Sequence, residues 1–327
     1  MNFYTMILRI VQLSMLFAAA GTVIAQQQPY PSRPIRFIIP YPPGGSTDPM
    51  GRMFATKLTE RWGQTVIVDN RPGANTIIGT DLLAKAAPDG YTIGWLGGAF
   101  FSLPSLFHNL PFDVYKDFVG VTTFGKTRIV LVLHPSVPAN NLQDFITMVK
   151  AKPGEFNFAS SGIGTNVHLS GELFNQLTGT RMVHIPYKGS GPVTTDLLGG
   201  RVQLSFQVPI TVIPFINAGR LKAIAVTGDG RLPALPQVPT FSEAGLPKFG
   251  WTSVTGIIAP ARTPRPVLGR IASEVAAIVA MPSTQSFIVK QGGEPFASTP
   301  EETAAVIKEE IASYARIIKE AGVKHLP

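Results

Sequence analysis

The sequence predicts an α/β protein of two domains, on three observations. Short β-branched or aromatic runs alternate with amphipathic stretches along the chain, the pattern of parallel sheets covered by helices. The 327 residues, less a leader of 25, leave 302, enough for two sizeable hydrophobic cores. Turns rich in glycine and hydroxyl residues follow apolar runs in both halves and precede helix starts, at 40–48, 158–166 and 187–192.

The first strand, 35–39 (Ile-Arg-Phe-Ile-Ile), stops at Pro40. A helix over 50–61 follows, with Asp48 read as its N-cap and Pro49 at the first helical position, where the missing N–H has no helical partner anyway. Residues 65–68 form the next strand, 77–86 a helix and 92–96 a third strand, which runs into the bulky segment Trp95-Leu-Gly-Gly-Ala-Phe100-Phe101. A β-branched run over 128–134 leads to a helix at 142–150, a strand at 156–159, a helix at 166–177 and a strand at 182–186. Strands at 202–206 and 223–226 flank a proline-interrupted helix near 211–218. Proline-rich stretches at 233–239 and 260–266 read as loops, at the return from one domain to the other. The final helix carries the fullest signature. Thr299-Pro-Glu-Glu302 supplies N-cap, N1 proline and capping-box glutamate; Ala304, Ile307, Ile311, Tyr314 and Ile318 recur at helical spacing, and Gly322 stops it.

The N-terminus reads as a secretory signal peptide cut after Ala25. Arg9 is the only charge before an apolar stretch over 10–20, and Val23-Ile-Ala25 supplies small or aliphatic cleavage residues. An uncleaved anchor is the alternative, although the stretch is short for a membrane span and no comparable run follows. There is no cysteine, hence no lipidated cysteine and no disulfide, so the exported chain is expected free in a bacterial periplasm. Lys+Arg 28 against Asp+Glu 20 gives +8, or +7 without Arg9, spread along the chain with no basic tract. That disfavours nucleic acid as a partner. Steering of small anions and plain solubility both remain as readings of the positive charge.

Three turns are candidates for chemistry. Pro40-Tyr-Pro-Pro-Gly-Gly-Ser-Thr-Asp48 passes from strand to helix start, where free backbone N–H groups and the helix dipole favour an anion. Phe158-Ala-Ser-Ser-Gly-Ile-Gly164-Thr-Asn166 repeats that logic, and Tyr187-Lys-Gly-Ser190-Gly-Pro192 is a weaker third. Each alone is equally an ordinary connection; three spread over both halves fit a cleft between domains. Gly120-Val-Thr-Thr-Phe-Gly-Lys126-Thr127 satisfies the phosphate-loop pattern, yet a β-branched run follows it where the motif requires a helix, so it is rejected. The five histidines (His108, His134, His168, His184, His325) lack metal spacing, and no G-x-S-x-G elbow occurs. His168 reads either as reaching a ligand from the second turn or as packing at the helix start. No metal, cofactor or catalytic residue is expected.

The residues also resemble a known family. Tyr30-Pro-Ser-Arg-Pro-Ile, the 40–48 turn, Asp69-Asn-Arg-Pro-Gly-Ala74, Ala86-Ala-Pro-Asp-Gly-Tyr-Thr92 and His134-Pro-Ser-Val-Pro match its pattern in order. So do Gly164-Thr-Asn-Val-His-Leu-Ser-Gly-Glu-Leu-Phe174, His184-Ile-Pro-Tyr-Lys-Gly-Ser190, Asp196-Leu-Leu-Gly-Gly200 and Pro239-Thr-Phe-Ser-Glu-Ala-Gly-Leu-Pro247. From about Tyr30 onward the chain resembles the periplasmic solute-binding proteins of tripartite tricarboxylate transporters, the Bug family. The resemblance implies an α/β, two-domain periplasmic binding fold (type II, flytrap) with a discontinuous first domain: 26–127 plus 252–327, with 128–251 as the second. It implies a small organic mono- or dicarboxylate, held through backbone N–H groups, hydroxyls and water between the loops 40–48 and 160–166, and closure around it. The implied ligand set is Tyr41, Gly44, Gly45, Ser46, Thr47, Asp48, Gly98, Ser160, Ser161, Gly164, Thr165, Asn166, His168, Gly189, Ser190 and Gln207. Inner-membrane permease subunits are the implied partners, and a monomer is the default.

Two departures bear on the ligand. Where the family commonly has Val-Asp-Leu-Met-Phe-Asp, this chain reads Val202-Gln-Leu-Ser-Phe-Gln207, so a neutral Gln207 replaces an acid that could meet a ligand ammonium. Phe100 or Phe101 is a candidate to stack on an aromatic carboxylate, with core packing as the competing role. Two other functions compete: a sensor subunit presenting ligand to a membrane kinase, and an exported hydrolase using Ser46, Ser160 or Ser190 with His168.

Overall fold

The computed structural model describes residues 30–324; the expected signal peptide and His325 lie outside the described residues. A compact body begins at Arg33. It holds two sheets. The first has the order β11-β4-β10-β3-β1-β2, from β1 (Ile35–Ile39), β2 (Val66–Asn70), β3 (Thr92–Leu96), β4 (Phe118–Thr127), β10 (Ser253–Pro260) and β11 (Gly293–Pro295). The second has the order β7-β6-β8-β5-β9, from β5 (Val130–Leu133), β6 (Asn157–Ser160), β7 (Val183–Pro186), β8 (Leu204–Gln207) and β9 (Lys222–Val226).

Alternating strands and helices predict parallel sheets, whereas both sheets are mixed. β1 pairs in parallel with β2 and β3, but β10 runs antiparallel to β3 and β4. β6 pairs in parallel with β7 and β8, while β5 runs antiparallel to β8 and β9. β5 and β10 arrive through crossovers between the sheets, without the helical return that makes a neighbouring strand parallel. Arg128 sits in the first crossover, ion-paired to Glu294 of β11 and donating to the Gly230 carbonyl.

The helices are α1 (Asp48–Trp62), α2 (Ile77–Ala84), α3 (Gly98–Leu106), α4 (Leu142–Ala151), α5 (Asn166–Thr178), α6 (Ser190–Leu198), α7 (Ile213–Asn217), α8 (Arg265–Val279), α9 (Pro282–Lys290) and α10 (Pro300–Glu320). At α10 the Thr299 hydroxyl accepts the Glu302 N–H and the Glu302 carboxylate accepts the Thr299 N–H, the box expected from the sequence. At α1 the expectation fails: the N-cap is Thr47, with helical φ −84° and ψ −29° and no side-chain cap, and Asp48 is already the first helical residue. The bulky segment after Trp95 is helical. It becomes α3, whose Ala99, Phe100, Phe101, Ser102, Leu103 and Leu106 are all buried, so no amphipathic period marks it in the sequence. The phosphate-loop look-alike lies wholly within β4.

One aromatic layer packs Phe54 on Phe124 and Phe124 on Trp95 beneath the first sheet. A second joins Phe174, Phe206, Phe241 and Phe249 beneath the second sheet. Phe37 of β1 stacks on Trp95 and Phe158 of β6 packs edge-on against Phe206, so each layer reaches a strand from which a turn emerges.

Candidate functional site

β1 lies between β2 and β3, and β6 lies between β7 and β8, so each is a point where successive connections leave in opposite directions. In open α/β sheets ligands gather beyond the carboxyl ends of strands at such switch points. The first two glycine turns leave from these two strands.

The turn after β1 is braced from within. Gly44 takes φ +74°, a conformation glycine adopts without a Cβ clash, and its N–H donates to Asp48 Oδ2 at 3.1 Å. Asp48 also accepts from Arg52 Nε at 2.9 Å and Asn70 Nδ2 at 3.2 Å, and Asn70 Nδ2 reaches the Tyr41 carbonyl at 3.1 Å. Burial works to raise the Asp48 carboxyl, but the hydrogen bonds from Arg52, Gly44 and Asn70 together hold it below the usual range. Asp48 is therefore an anion spent on its own loop. The Thr47 hydroxyl is buried with no hydrogen-bond partner in the protein, an unmet polar group of the kind that ligands or water satisfy.

The turn after β6 is braced from behind. Thr165 caps α5 by accepting the His168 N–H at 3.3 Å, and the Gly164 N–H, at φ +74°, donates to His168 Nδ1 at 3.0 Å. That bond leaves the His168 proton on Nε2, facing Glu172 Oε1 at 3.5 Å. Ser160 Oγ sits 2.6 Å from His184 Nε2, and the His168 and His184 rings lie tilted against each other with centroids 4.0 Å apart. Burial, then the neighbouring His168, pushes His184 down to about 3, so it is neutral. His168, Glu172 and His184 offer ligand atoms within 4.8 Å of one another. The donor set does not fit a metal ion, because the backbone N–H already on Nδ1 keeps the Nε2 lone pair protonated.

The third turn joins the other two. The Gly189 N–H donates to the Ser161 carbonyl at 3.1 Å, and Ser190, the first residue of α6, accepts the Ser46 N–H on its hydroxyl at 3.1 Å. At the end of β8 the Gln207 amide donates to Ser205 Oγ and accepts from Thr211 Oγ1, both at 3.1 Å.

A single cavity of about 140 Å³ opens where the turns meet, roughly ten times the space one water needs. Of the residues expected from the sequence, Tyr41, Gly44, Gly45, Ser46, Thr47, Gly98, Ser161, Thr165, Asn166, Gly189, Ser190 and Gln207 line it. Asp48, Ser160, Gly164 and His168 do not; they support the turns from behind through the bonds above. The stacking expectation also shifts. Phe100 and Phe101 are buried against Phe118 and Tyr314, and Trp95 is the aromatic ring that reaches the cavity together with Tyr41.

Much of the remaining wall lies outside the three turns: Met50, Val167, Val208, Ile210 and Ile288 as apolar surface, and Ser253, Thr255 and Gln291 as polar groups. Among the described residues no Asp or Glu lines it, whereas Lys126 and Lys188 do. A Cβ on Gly125 would face Ile288 and Thr255 of the wall. Strand alternation thus turns the Lys126 ammonium to the other face, where it lies 5.2 Å from the Phe296 ring centroid. Lys188 is exposed at the rim.

Two α/β sheets with glycine turns converging on one acid-free cavity define a periplasmic-binding-protein fold. The family model described as "Tripartite tricarboxylate transporter family receptor" matches residues 50–323, and the chain belongs to that family of periplasmic solute-binding proteins, which are not enzymes. It is similar to Protein BugT of Bordetella pertussis, 36% identical over 97% of this chain and 98% of that one. Among solved structures it is similar to the R. palustris protein Rpa4515 with adipate, with a TM-score of 0.87 and 31% identity over 91% of this chain and 100% of that one. It is also similar to MatC from Rhodopseudomonas palustris with bound malate, with a TM-score of 0.81 and 27% identity over 88% and 100% of the two chains.

Proposed function

We propose that this protein captures a small organic carboxylate in the cavity and delivers it to the inner-membrane subunits of a tripartite transporter. The observation that carries this reading is the meeting of two switch-point turns, 40–47 and 161–165, at one cavity with no acidic side chain in its wall. Backbone N–H groups near a helix start favour a carboxylate by about 0.3–1 kcal/mol, more when partly buried. The hydroxyls of Thr47 and Ser161 add donors without a fixed charge. Similar proteins bound to adipate and malate agree with this chemistry.

Trp95, Met50, Val208, Ile210 and Ile288 favour an apolar body between the polar ends, either an aliphatic chain or an aromatic ring. Gln207, neutral and already bonded to Ser205 and Thr211, disfavours a ligand ammonium. In this reading residues 26–127 plus 252–327 move as one lobe and 128–251 as the other. The first 25 residues direct export, and the mature chain works as a monomer in the periplasm. Thermal-shift screening of ligand-stripped protein against aliphatic and aromatic mono- and dicarboxylates tests the proposal, because a ligand of the native state raises Tm. A rise with at least one carboxylate is expected; no rise with any of them refutes it.

A further inference from the structure

Tyr314 belongs to the apolar stripe of α10, yet its hydroxyl reaches the cavity wall. The ring is fully buried, tilted against Phe101 at 5.6 Å and edge-on to Trp251 at 5.2 Å. From there the phenol donates to Ser253 Oγ at 2.8 Å. A Cβ on Gly98, another wall residue, would lie 2.5 Å from the phenolic oxygen, so the glycine leaves the space in which this contact is made. Burial pushes the phenol well above its ordinary value of 10, so it remains a donor throughout the neutral range.

That bond sets what Ser253 can offer. A hydroxyl carries one hydrogen and two lone pairs. Ser253 Oγ uses a lone pair on Tyr314, and among the described residues its own hydrogen meets no acceptor, so it is a donor toward the cavity that it lines. Two positions on, and therefore on the same face of β10, Thr255 is engaged the other way. Its hydroxyl donates to the Gly125 carbonyl at 3.0 Å, which leaves only lone pairs for the cavity. The β10 wall thus presents one hydrogen-bond donor beside one acceptor, and neither carries charge.

We propose that this wall is a second, uncharged subsite that reads a carbamoyl group on the ligand: Ser253 donates to its oxygen, Thr255 accepts from its N–H, and Tyr314 is the positioning residue that holds Ser253 as a donor. The ligand class is then a monocarboxylate that also bears a primary amide. The inference rests on the carboxylate reading above, since the turns still hold the acid. Strand residues two apart are spaced by roughly 6.5–7 Å. A planar carbamoyl group spans that gap with bonds of about 2.9 Å at its oxygen and its nitrogen, whereas a single hydroxyl oxygen is too small to meet both. A second carboxylate has the carbamoyl shape but no hydrogen. It would set an oxygen against the Thr255 lone pairs and bring a charge to a wall whose lysines are turned to the Phe296 face or stand at the rim.

The test is calorimetric titration of the full mature chain, stripped of ligand, with isosteric pairs: succinate and succinamate, adipate and adipamate, isophthalate and 3-carbamoylbenzoate. In at least one pair the amide should bind roughly tenfold more tightly than its diacid at neutral pH. Ser253→Ala and Thr255→Val should each shrink that ratio by roughly threefold to tenfold. Tyr314→Phe keeps the ring and removes the donated proton; it should shrink the ratio as well, and add little on top of Ser253→Ala in the double variant. A merely structural role for Tyr314 would weaken acid and amide alike and leave the ratio unchanged. Thr255→Val makes no use of Tyr314, so it decides the matter if Tyr314→Phe or Ser253→Ala does not fold. Diacids that bind as tightly as their amides in every pair, or an amide preference that Thr255→Val leaves intact, overturn the carbamoyl inference and leave carboxylate capture standing. No binding by any of these acids refutes carboxylate capture, and this inference falls with it.

Discussion

The amide of Ser46 donates to the hydroxyl of Ser190 at 3.1 Å, across 144 positions of sequence. That bond joins the turn after β1 to the first residue of α6, so it links the two sheets at the mouth of the cavity. In a protein that closes on its ligand, such a bond exists only in the closed state and adds to the ligand's own bridging. Ser190→Ala removes the acceptor. A hydrogen bond of this kind contributes about 1 kcal/mol net, so affinity for a bound carboxylate should fall roughly fivefold, mainly through faster release. Stopped-flow release kinetics check this; an unchanged off-rate would mean that closure does not use the bond.

Two glycines of the turns should respond differently to substitution. A Cβ on Gly45 would sit 3.5 Å from Ser190 Oγ and 3.4 Å from the Pro42 carbonyl, ordinary contact distances. The branched carbons of Gly45→Val extend further, toward Ser190 and the cavity. Folding should survive and binding should fail. Gly164 combines φ +74° with a Cβ position 2.2 Å from Leu106 Cδ1 and 2.8 Å from Ser102 Oγ. Gly164→Ala should therefore destabilise the fold itself, by about 1–3 kcal/mol. Thermal melts with and without ligand separate the two, and a Gly164→Ala protein as stable as wild type would contradict the steric account.

Strand-to-helix turns were legible in the sequence because glycine, hydroxyl and proline spacing is local chemistry; the three turns at 40–48, 158–166 and 187–192 meet at the cavity. The capping box of α10 was legible for the same reason. Non-local structure was not. β10 sits beside β3 and β4 through contacts that no motif announces, and it carries Ser253 and Thr255 into the wall. α3 is mostly buried and lacks a helical period, so the sequence left ligand stacking and core packing both open for Phe100 and Phe101; they are core. Asp48 fits the composition of an N-cap equally well, and only the three donors converging on its carboxylate reveal its role in bracing the turn.

Bracing by Asp48 predicts a stability effect with a defined pH window. Asp48→Ala leaves the Gly44 N–H and Arg52 Nε without their acceptor, while Asn70 keeps the Tyr41 carbonyl, and should cost about 1–3 kcal/mol. Because the folded carboxyl is held below its ordinary value of 3.8, its contribution is present above that pH and is lost as pH falls through the lowered folded value. Denaturant titrations of wild type and Asp48→Ala should therefore differ at neutral pH and converge in acid. A gap that persists undiminished at low pH would show that the charge is not involved.

Glu310 gives the opposite slope. Its folded value is about 7 against an ordinary 4.5, so between those limits the native state holds a proton that the unfolded state has released. Stability contributed by this group is complete below about 4.5 and declines as pH rises toward neutrality. Glu310→Gln cannot ionise and should escape the decline, by on the order of 2 kcal/mol at alkaline pH. Equilibrium unfolding at intervals between about pH 5 and about pH 8 checks the slope; parallel curves for the two proteins would remove Glu310 from the titration.

Trp95 separates the aromatic from the aliphatic form of the ligand. Of the three tryptophans, Trp62 and Trp251 keep Nε1 buried and do not line the cavity, whereas Trp95 does. Its ring is held by Phe37, stacked at 6.4 Å, and by the edge of Phe124 at 5.1 Å, so it presents a fixed surface to whatever fills the cavity. Binding should change the intrinsic fluorescence, and Trp95→Phe should silence most of that change. Ring-on-ring contact contributes about 0.5–1.5 kcal/mol beyond area. Trp95→Leu keeps an apolar wall but removes the ring, so an aromatic acid such as benzoate should weaken several-fold more than an aliphatic acid of similar size. Titrations of both acids against both proteins give the ratio directly. Equal losses would assign Trp95 a role in shaping the wall, with no stacking on the ligand.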